Sequence, residues 1–226
     1  MGLINRFINR KHIRKYGHII SLGYNCELSY QLFKHNKFVE SNLFGWTYIY
    51  SAQDMLNALD NIDLIGEDGF LEPNPLFEWK NTHIRLHGND RNPTKKDYEE
   101  LSNRVKYLKE KFIKTLSDGE NNLYIIKIRS SEHNIEQIIK KTYEKLSAMV
   151  SNEFDLLVVL ESKVVLNGTF EDLPNLFIKK VEYFSPDDDV TTKKCDKKHW
   201  EAIFDLFLPK YKLKKRKKFK FEVIDE

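Results

Sequence analysis

The sequence is poor in cysteine, since its 226 residues include only Cys26 and Cys195. Two distant cysteines without a CxxC pair cannot form the disulfide framework of a small secreted protein. We therefore expect both to be free thiols in a reducing compartment, which favours a cytoplasmic protein. Apolar runs are also short: none approaches the ~18 residues of a membrane span, and residues 1–16 lack the apolar core of a signal peptide.

Cofactor and metal motifs are missing as well. The chain has nine glycines, but none forms the GxGxxG fingerprint of a dinucleotide site. His83 and His87 are four residues apart in a stretch that favours a strand, where they would not share a metal. Cys195 and His199 have helical spacing, but two ligands do not make a site. We predict neither a cofactor nor a metal.

Positive charge is concentrated at the two ends of the chain. Residues 1–16 hold five Lys or Arg and residues 210–220 hold eight, with no acidic residue in either segment, although the net charge is only +3. The rest of the chain is therefore acidic, which argues against a nucleic-acid-binding protein. Such charge runs are usually solvated tails; the alternative is peripheral contact with an anionic membrane or another polyanion.

Strand and helix patterns alternate along the rest of the sequence. The segments 123–128 and 154–160 are almost wholly apolar, as is typical of parallel strands that are buried on both faces. Helical periodicity marks residues 97–116, 134–149 and 197–207. The pattern predicts an α/β fold, a three-layer, mostly parallel sheet of about 4–6 strands with helices on both faces, Rossmann-like or hydrolase-like.

Three segments follow from these patterns. Residues 1–16 are predicted to be a basic amphipathic segment, residues 17–208 a single α/β domain, and residues 209–226 a lysine-rich tail. Smaller elements predicted within the domain are a helix that starts near Ser51, with Asp54 three residues later, and an edge strand at 176–181.

The stretch His18–Leu22 is an apolar strand that ends in Gly23, and Cys26 follows where helical periodicity begins. A helix N-terminus favours the thiolate form, so we expect a lowered pKa for Cys26. The same turn could cradle an anion. In a parallel sheet this turn shares the carboxyl edge with Arg129, which follows another strand, and ligands bind at that edge.

Several motifs together resemble a known family. The run SLGYNCELSYQL at 21–32, the aromatic stretch NLFGWTYIY at 42–50 and the histidine-bearing RLHGND at 85–90 are similar to a bacterial family catalogued as papain-like cysteine peptidases of unknown function. The resemblance implies that Cys26 is the nucleophile and His87 its base. Asn89 or Asp90, which follow His87 closely in the sequence, would be the third member of the catalytic group. It also implies a role in surface-polysaccharide metabolism.

A second resemblance agrees better with an α/β sheet, because a papain-like fold has its cysteine on a long helix instead. Esterase-like hydrolases carry the nucleophile after the first strand, a Gly-Asn-Asp stretch in mid-chain and a late Asp-x-x-His. This chain has Cys26, residues 88–90, and Asp196 with His199 in that order. The resemblance implies that His199 is the base and that Asp196 orients it.

Two functions therefore remain open. The first is a cysteine-dependent hydrolase or acyltransferase with a small-molecule or glycan substrate, in which Cys26 works with His87 or His199 and His133 is a weaker third candidate. The second is a non-thiol carbohydrate or nucleotide-sugar module, transferase-like, that uses the turn 23–26 as an anion site. The substrate-binding candidates are Gly23, Tyr24, Asn25, Trp46, Asn89 and Arg129. The sequence does not give the oligomeric state.

Overall fold

The computed structural model describes residues 15–23, 25–36, 40–45, 47–66, 77–79, 84–86, 94–185 and 196–208. Most of both predicted terminal segments, 1–16 and 209–226, lies outside these residues. So do Tyr24, Trp46, His87, Asn89 and Asp90.

The described elements alternate as the sequence pattern predicts. In chain order they are β1 (His18–Ser21), α1 (Glu27–Asn36), β2 (Thr47–Ile49), α2 (Ala52–Asp60), a 3-10 turn (Ile62–Leu64), β3 (Phe77–Glu78), β4 (Ile84–Leu86), α3 (Lys95–Thr115), β5 (Asn122–Ile128), α4 (Ile135–Met149), β6 (Phe154–Glu161), β7 (Leu176–Val181) and α5 (Lys197–Phe207). None of the helices in this part of the chain is both long and apolar enough to cross a membrane.

The main sheet has four parallel strands in the order β1-β5-β6-β7. Ile125 of β5 is paired with Leu157 of β6, and both strands are buried along almost their whole length. This burial on both faces is the reason for their nearly continuous apolar runs. The predicted edge strand at 176–181 is confirmed as β7.

Helices cover both faces of this sheet, which confirms the predicted three-layer α/β fold. Leu28 and Leu32 of α1 pack with Trp200 and Phe204 of α5 on one face. The opposite face is covered by α2, α3 and α4, whose buried residues form one cluster with the small antiparallel sheet β2-β4-β3.

Local capping chemistry sets several helix starts. The Ser51 side chain accepts a hydrogen bond of 3.0 Å from the Asp54 N–H, so α2 begins where the sequence predicts. The helix predicted to start at Asp97 starts earlier, at Lys95. Thr94 and Asp97 form a capping box there, and Asp97 is its third helical residue.

Candidate functional site

The segments that follow the parallel strands meet at the carboxyl edge of the main sheet. The backbone N–H of Ser130, after β5, donates to Glu161 Oε2 at the end of β6 over 2.8 Å. Arg129 Nη2 donates to the Ser185 carbonyl, after β7, over 3.1 Å. The structure therefore brings together the strand ends where the sequence predicts a site.

Gly23 makes the sharp turn after β1. Its φ of +85° lies in the left-handed region, and a Cβ atom there would come within 2.8 Å of Ile49 Cδ1. Its N–H donates to the Ser21 hydroxyl oxygen over 3.3 Å. The position therefore requires glycine because of both the backbone conformation and the close approach of β2.

Asn25, which is predicted to bind substrate, shapes the start of α1. Its side chain is buried, and Oδ1 accepts a hydrogen bond of 3.1 Å from the Glu27 N–H. This side-chain turn satisfies one of the N–H groups that a helix start leaves without a partner. It positions Cys26 immediately before the first helical residue.

The prediction that Cys26 has a lowered pKa is wrong. The thiol is partly buried, and loss of solvation raises its pKa above the ordinary cysteine value, although the positive charge of Lys127 partly opposes this. Burial thus outweighs both the Lys127 charge and the backbone hydrogen bond that lower this pKa. Cys26 is a protonated thiol in the resting protein, and its ionisation requires a base.

A buried ion pair lies beside Cys26. Lys127 Nζ is 2.7 Å from Glu27 Oε2, and neither side chain is exposed to solvent. Lys127 Nζ also lies 5.1 Å from the centre of the Phe184 ring. This pair was not predicted from the sequence. The signal was Lys127 itself, since a lysine within an otherwise apolar buried strand needs an acidic partner.

Glu27 also joins α1 to α5. Its Oε1 accepts hydrogen bonds from the Ser185 N–H at 3.1 Å and from Trp200 Nε1 at 3.3 Å. Because Glu27 follows Cys26 and Trp200 follows His199, these bonds hold the first turns of the two helices at the same edge of the sheet.

His199 and Asp196 form a pair at the start of α5. His199 Nδ1 is 2.7 Å from Asp196 Oδ2 and 2.8 Å from Oδ1. Asp196 is buried and caps α5, while the His199 side chain is exposed. With Nδ1 donating to the carboxylate, Nε2 is left as the basic nitrogen.

Asp196 is held in its charged form. Burial alone would raise its pKa, but hydrogen bonds from the Glu182 N–H and from His199 lower it below the ordinary aspartate value. A carboxylate in this state can hold the imidazole by its Nδ1, as an orienting residue in a nucleophile-base system must.

The structure shows no hydrogen bond between the Cys26 sulfur and a histidine among the described residues. His133 follows β5 and is exposed. The rival candidates His87, Asn89 and Asp90, together with Tyr24 and Trp46, lie outside the described residues. Among the described histidines, His199 is therefore the one that a carboxylate orients at the sheet edge that bears Cys26.

One group of side chains has the donor set for a metal ion. Glu182, Asp196 and His199 each offer a ligand atom, and these atoms lie within 4.8 Å of one another. Both Asp196 oxygens, however, already accept hydrogen bonds from the Glu182 N–H and from His199. The group is therefore better explained as the cap and orienting pair of α5.

Comparison with known proteins found no match to this chain among family models, curated proteins or solved structures. The resemblance to papain-like peptidases accordingly stays a prediction. The site is assigned from its own geometry.

Proposed function

We propose that this protein is a cysteine-dependent hydrolase or acyltransferase in which Cys26 is the nucleophile, His199 the base and Asp196 the orienting residue. The observation that carries the proposal is the Asp196–His199 pair, which is formed at the first turn of α5 on the sheet edge that bears Cys26. Nucleophile, base and orienting acid are the three parts that thiol catalysis needs.

The chemistry is acyl transfer. The Cys26 sulfur forms a bond to the acyl carbon as its proton passes to His199 Nε2, and the leaving group departs with that proton. Water, or an acceptor hydroxyl, then attacks the thioester with His199 again as the base, and the thiol is restored. Asp196 stays ionised throughout and stabilises the imidazolium.

The raised pKa of Cys26 is compatible with this role, because the thiol needs to ionise only when substrate is bound. Lys127 provides a fixed positive charge that favours the thiolate, although the neighbouring Glu27 carboxylate compensates for much of it. A resting thiol of this kind depends on its base more strongly than a preformed thiolate would.

The alternative, a non-thiol anion site at residues 23–26, has less support. The Gly23 N–H already donates to Ser21 and the Glu27 N–H to Asn25. An anionic ligand would therefore compete for backbone N–H groups that are already satisfied.

The substrate class that we propose is an acyl ester or thioester of a small molecule or glycan, in agreement with the resemblance to esterase-like hydrolases. The same resemblance supplies the Asp-x-x-His order that Asp196 and His199 follow. A role in surface-polysaccharide metabolism would make the acyl group a substituent on a sugar hydroxyl.

The test is hydrolysis of p-nitrophenyl acetate and of an acetyl thioester by the native chain and its variants. Cys26→Ala should abolish turnover, and His199→Gln should lower kcat by about 10²–10⁴-fold, the usual effect of losing a general base. His133→Gln and Lys198→Gln are matched controls that should keep native rates. If Cys26→Ala keeps activity, the thiol mechanism is wrong; if His87→Gln loses activity and His199→Gln does not, the base is wrongly assigned.

A further inference from the structure

The two carboxylate oxygens of Glu27 have different partners. Oε2 lies 2.7 Å from Lys127 Nζ. Oε1 accepts a hydrogen bond from the Ser185 N–H at 3.1 Å and another from Trp200 Nε1 at 3.3 Å. Both Glu27 and Trp200 are completely buried. Oε2 thus compensates a buried charge, whereas Oε1 fixes the positions of α1, α5 and the segment after β7 relative to one another.

Stability alone does not explain a carboxylate at this position. Removing two charges from water is costly, and apolar side chains of similar volume are often as stable as a buried ion pair or more so. The surroundings are largely apolar, since Trp200 stacks on Phe204 and Lys127 Nζ lies 5.1 Å from the centre of the Phe184 ring. What the carboxylate adds to such a cluster is a set of directional hydrogen bonds, which apolar packing does not provide.

Each end of the Glu27–Trp200 hydrogen bond is one residue away from a member of the proposed site. Cys26 precedes Glu27, and its carbonyl accepts the first hydrogen bond of α1 at 2.9 Å. His199 precedes Trp200, whose own N–H donates to the Asp196 carbonyl at 3.2 Å. The bond therefore links the helical turn that follows the nucleophile to the turn that carries the base and its orienting acid.

We propose that Glu27 and Trp200 are positioning residues, which set the place of His199 relative to Cys26 through their hydrogen bond. This inference rests on the proposed function, because it takes Cys26 as the nucleophile and His199 as its base. Glu27 and Trp200 do not touch the substrate, since both are completely buried. They act through the first turns of α1 and α5, where a shift of about 1 Å can lower a reaction rate about 100-fold.

The experiment is a double-mutant cycle between Trp200→Phe and His199→Gln, measured as p-nitrophenyl acetate hydrolysis and as acetylation of Cys26. Trp200→Phe removes the indole N–H but keeps an aromatic ring, and it should lower kcat about 10–100-fold with KM unchanged. In the His199→Gln background, Trp200→Phe should cause no further fall in the residual rate. A general loosening of the structure would lower the rate in both backgrounds.

Trp79→Phe is the matched control for loss of a buried indole. Trp79 is 1% exposed, but it belongs to the cluster on the opposite face of the main sheet. Trp79→Phe should lower Tm through the cavity that it creates and should leave kcat at the native value.

Two double variants separate the acceptor oxygen of residue 27 from its charge. Glu27→Gln with Lys127→Met keeps an oxygen that can accept from Ser185 and Trp200, and it removes both buried charges. Glu27→Met with Lys127→Met has the same net charge but no acceptor. The first should therefore acetylate Cys26 at least about tenfold faster than the second.

The positioning role alone is overturned if the native chain is acetylated on Cys26 and Trp200→Phe reacts at the native rate. It is also overturned if Trp200→Phe lowers the rate equally with and without His199, or if the two double variants react equally fast. A native chain that is not acetylated on Cys26 contradicts the proposed function, and the positioning role is then rejected with it.

Discussion

The ammonium group of Lys127 lies 2.7 Å from the Glu27 carboxylate, and both side chains are completely buried beside Cys26. Removing one member of such a pair leaves the other charge buried without compensation. We expect Lys127→Met to lower the free energy of unfolding by about 3–5 kcal/mol. Urea denaturation of the native chain and the variant measures this directly.

The control for this pair is the exposed pair Lys96 and Glu100 on α3, whose charged atoms are 3.5 Å apart. Lys96→Met should change stability by less than about 1 kcal/mol, because solvent screens the pair. The double variant Glu27→Gln with Lys127→Met should be more stable than Lys127→Met alone. If Lys127→Met and Lys96→Met lower the free energy of unfolding equally, a structural role for Glu27 and Lys127 is contradicted.

The raised pKa of Cys26 predicts slow alkylation. In a Cys195→Ser background, iodoacetamide should modify native Cys26 at pH 7 more slowly than it modifies the same chain unfolded in urea, because less thiolate is present. Lys127→Met removes the nearby positive charge that lowers this pKa, so its folded form should react more slowly still. Mass spectrometry follows the rate, and faster reaction of the folded native chain would contradict a raised pKa for Cys26.

Gly23 should be the more sensitive of two left-handed glycines. Gly119 has a φ of +84°, but a Cβ there would meet nothing closer than 3.7 Å, whereas a Cβ at Gly23 would meet Ile49 Cδ1 at 2.8 Å. Gly119→Ala should therefore lower the free energy of unfolding only through backbone strain, by about 1–2 kcal/mol. Gly23→Ala should lower it by more. Thermal unfolding compares the two.

Ile49→Val separates the two effects at Gly23, because it deletes the atom that the new methyl group would approach. In the double variant with Gly23→Ala, the stability lost through the contact with Ile49 Cδ1 should be partly recovered. The loss that comes from backbone strain should remain. Equal losses of stability in Gly23→Ala and Gly119→Ala would argue against the close approach of β2 to this turn.

The lowered pKa of Asp196 predicts a pH-dependent contribution to stability. A carboxyl group whose pKa is lower in the folded state stabilises fully above its unfolded pKa of about 3.9, and this stabilisation is lost as pH falls through the folded value. Asp196→Asn should thus be less stable than the native chain at pH 7, and the difference should shrink as pH falls below about 4.

Asparagine is a suitable replacement because it also caps helices, so α5 should still form. Urea denaturation at pH 7 and at several values down to pH 3 gives the difference between the two chains. A difference that does not change with pH would mean that Asp196 contributes through its shape and not through its charge.

Much of the fold was predictable because its signals are local. The Ser51 cap fixes the start of α2, and the apolar runs of β5 and β6 identify buried parallel strands. The order of those strands and the placement of α1 and α5 on one face depend on contacts between distant residues. Periodicity alone does not specify them.

The candidate site was predictable in position but not in its electrostatics. The sequence indicated Cys26 and Arg129 near one sheet edge, while the opposing effects on the Cys26 pKa depend on how deeply the thiol is buried. The Glu27–Lys127 pair joins residues that are 100 positions apart. Lys127 stands out within an apolar strand, but nothing local in the sequence identifies Glu27 as its partner.

The most direct test of the proposed mechanism is the mass of the intact protein after brief mixing with p-nitrophenyl acetate and an acid quench. We predict an acetyl adduct on Cys26 in the native chain and in Lys198→Gln, no adduct on this residue in Cys26→Ala, and at least about 100-fold slower formation in His199→Gln. If the adduct forms at the native rate in His199→Gln, or is found on a residue other than Cys26, the account of this site is contradicted.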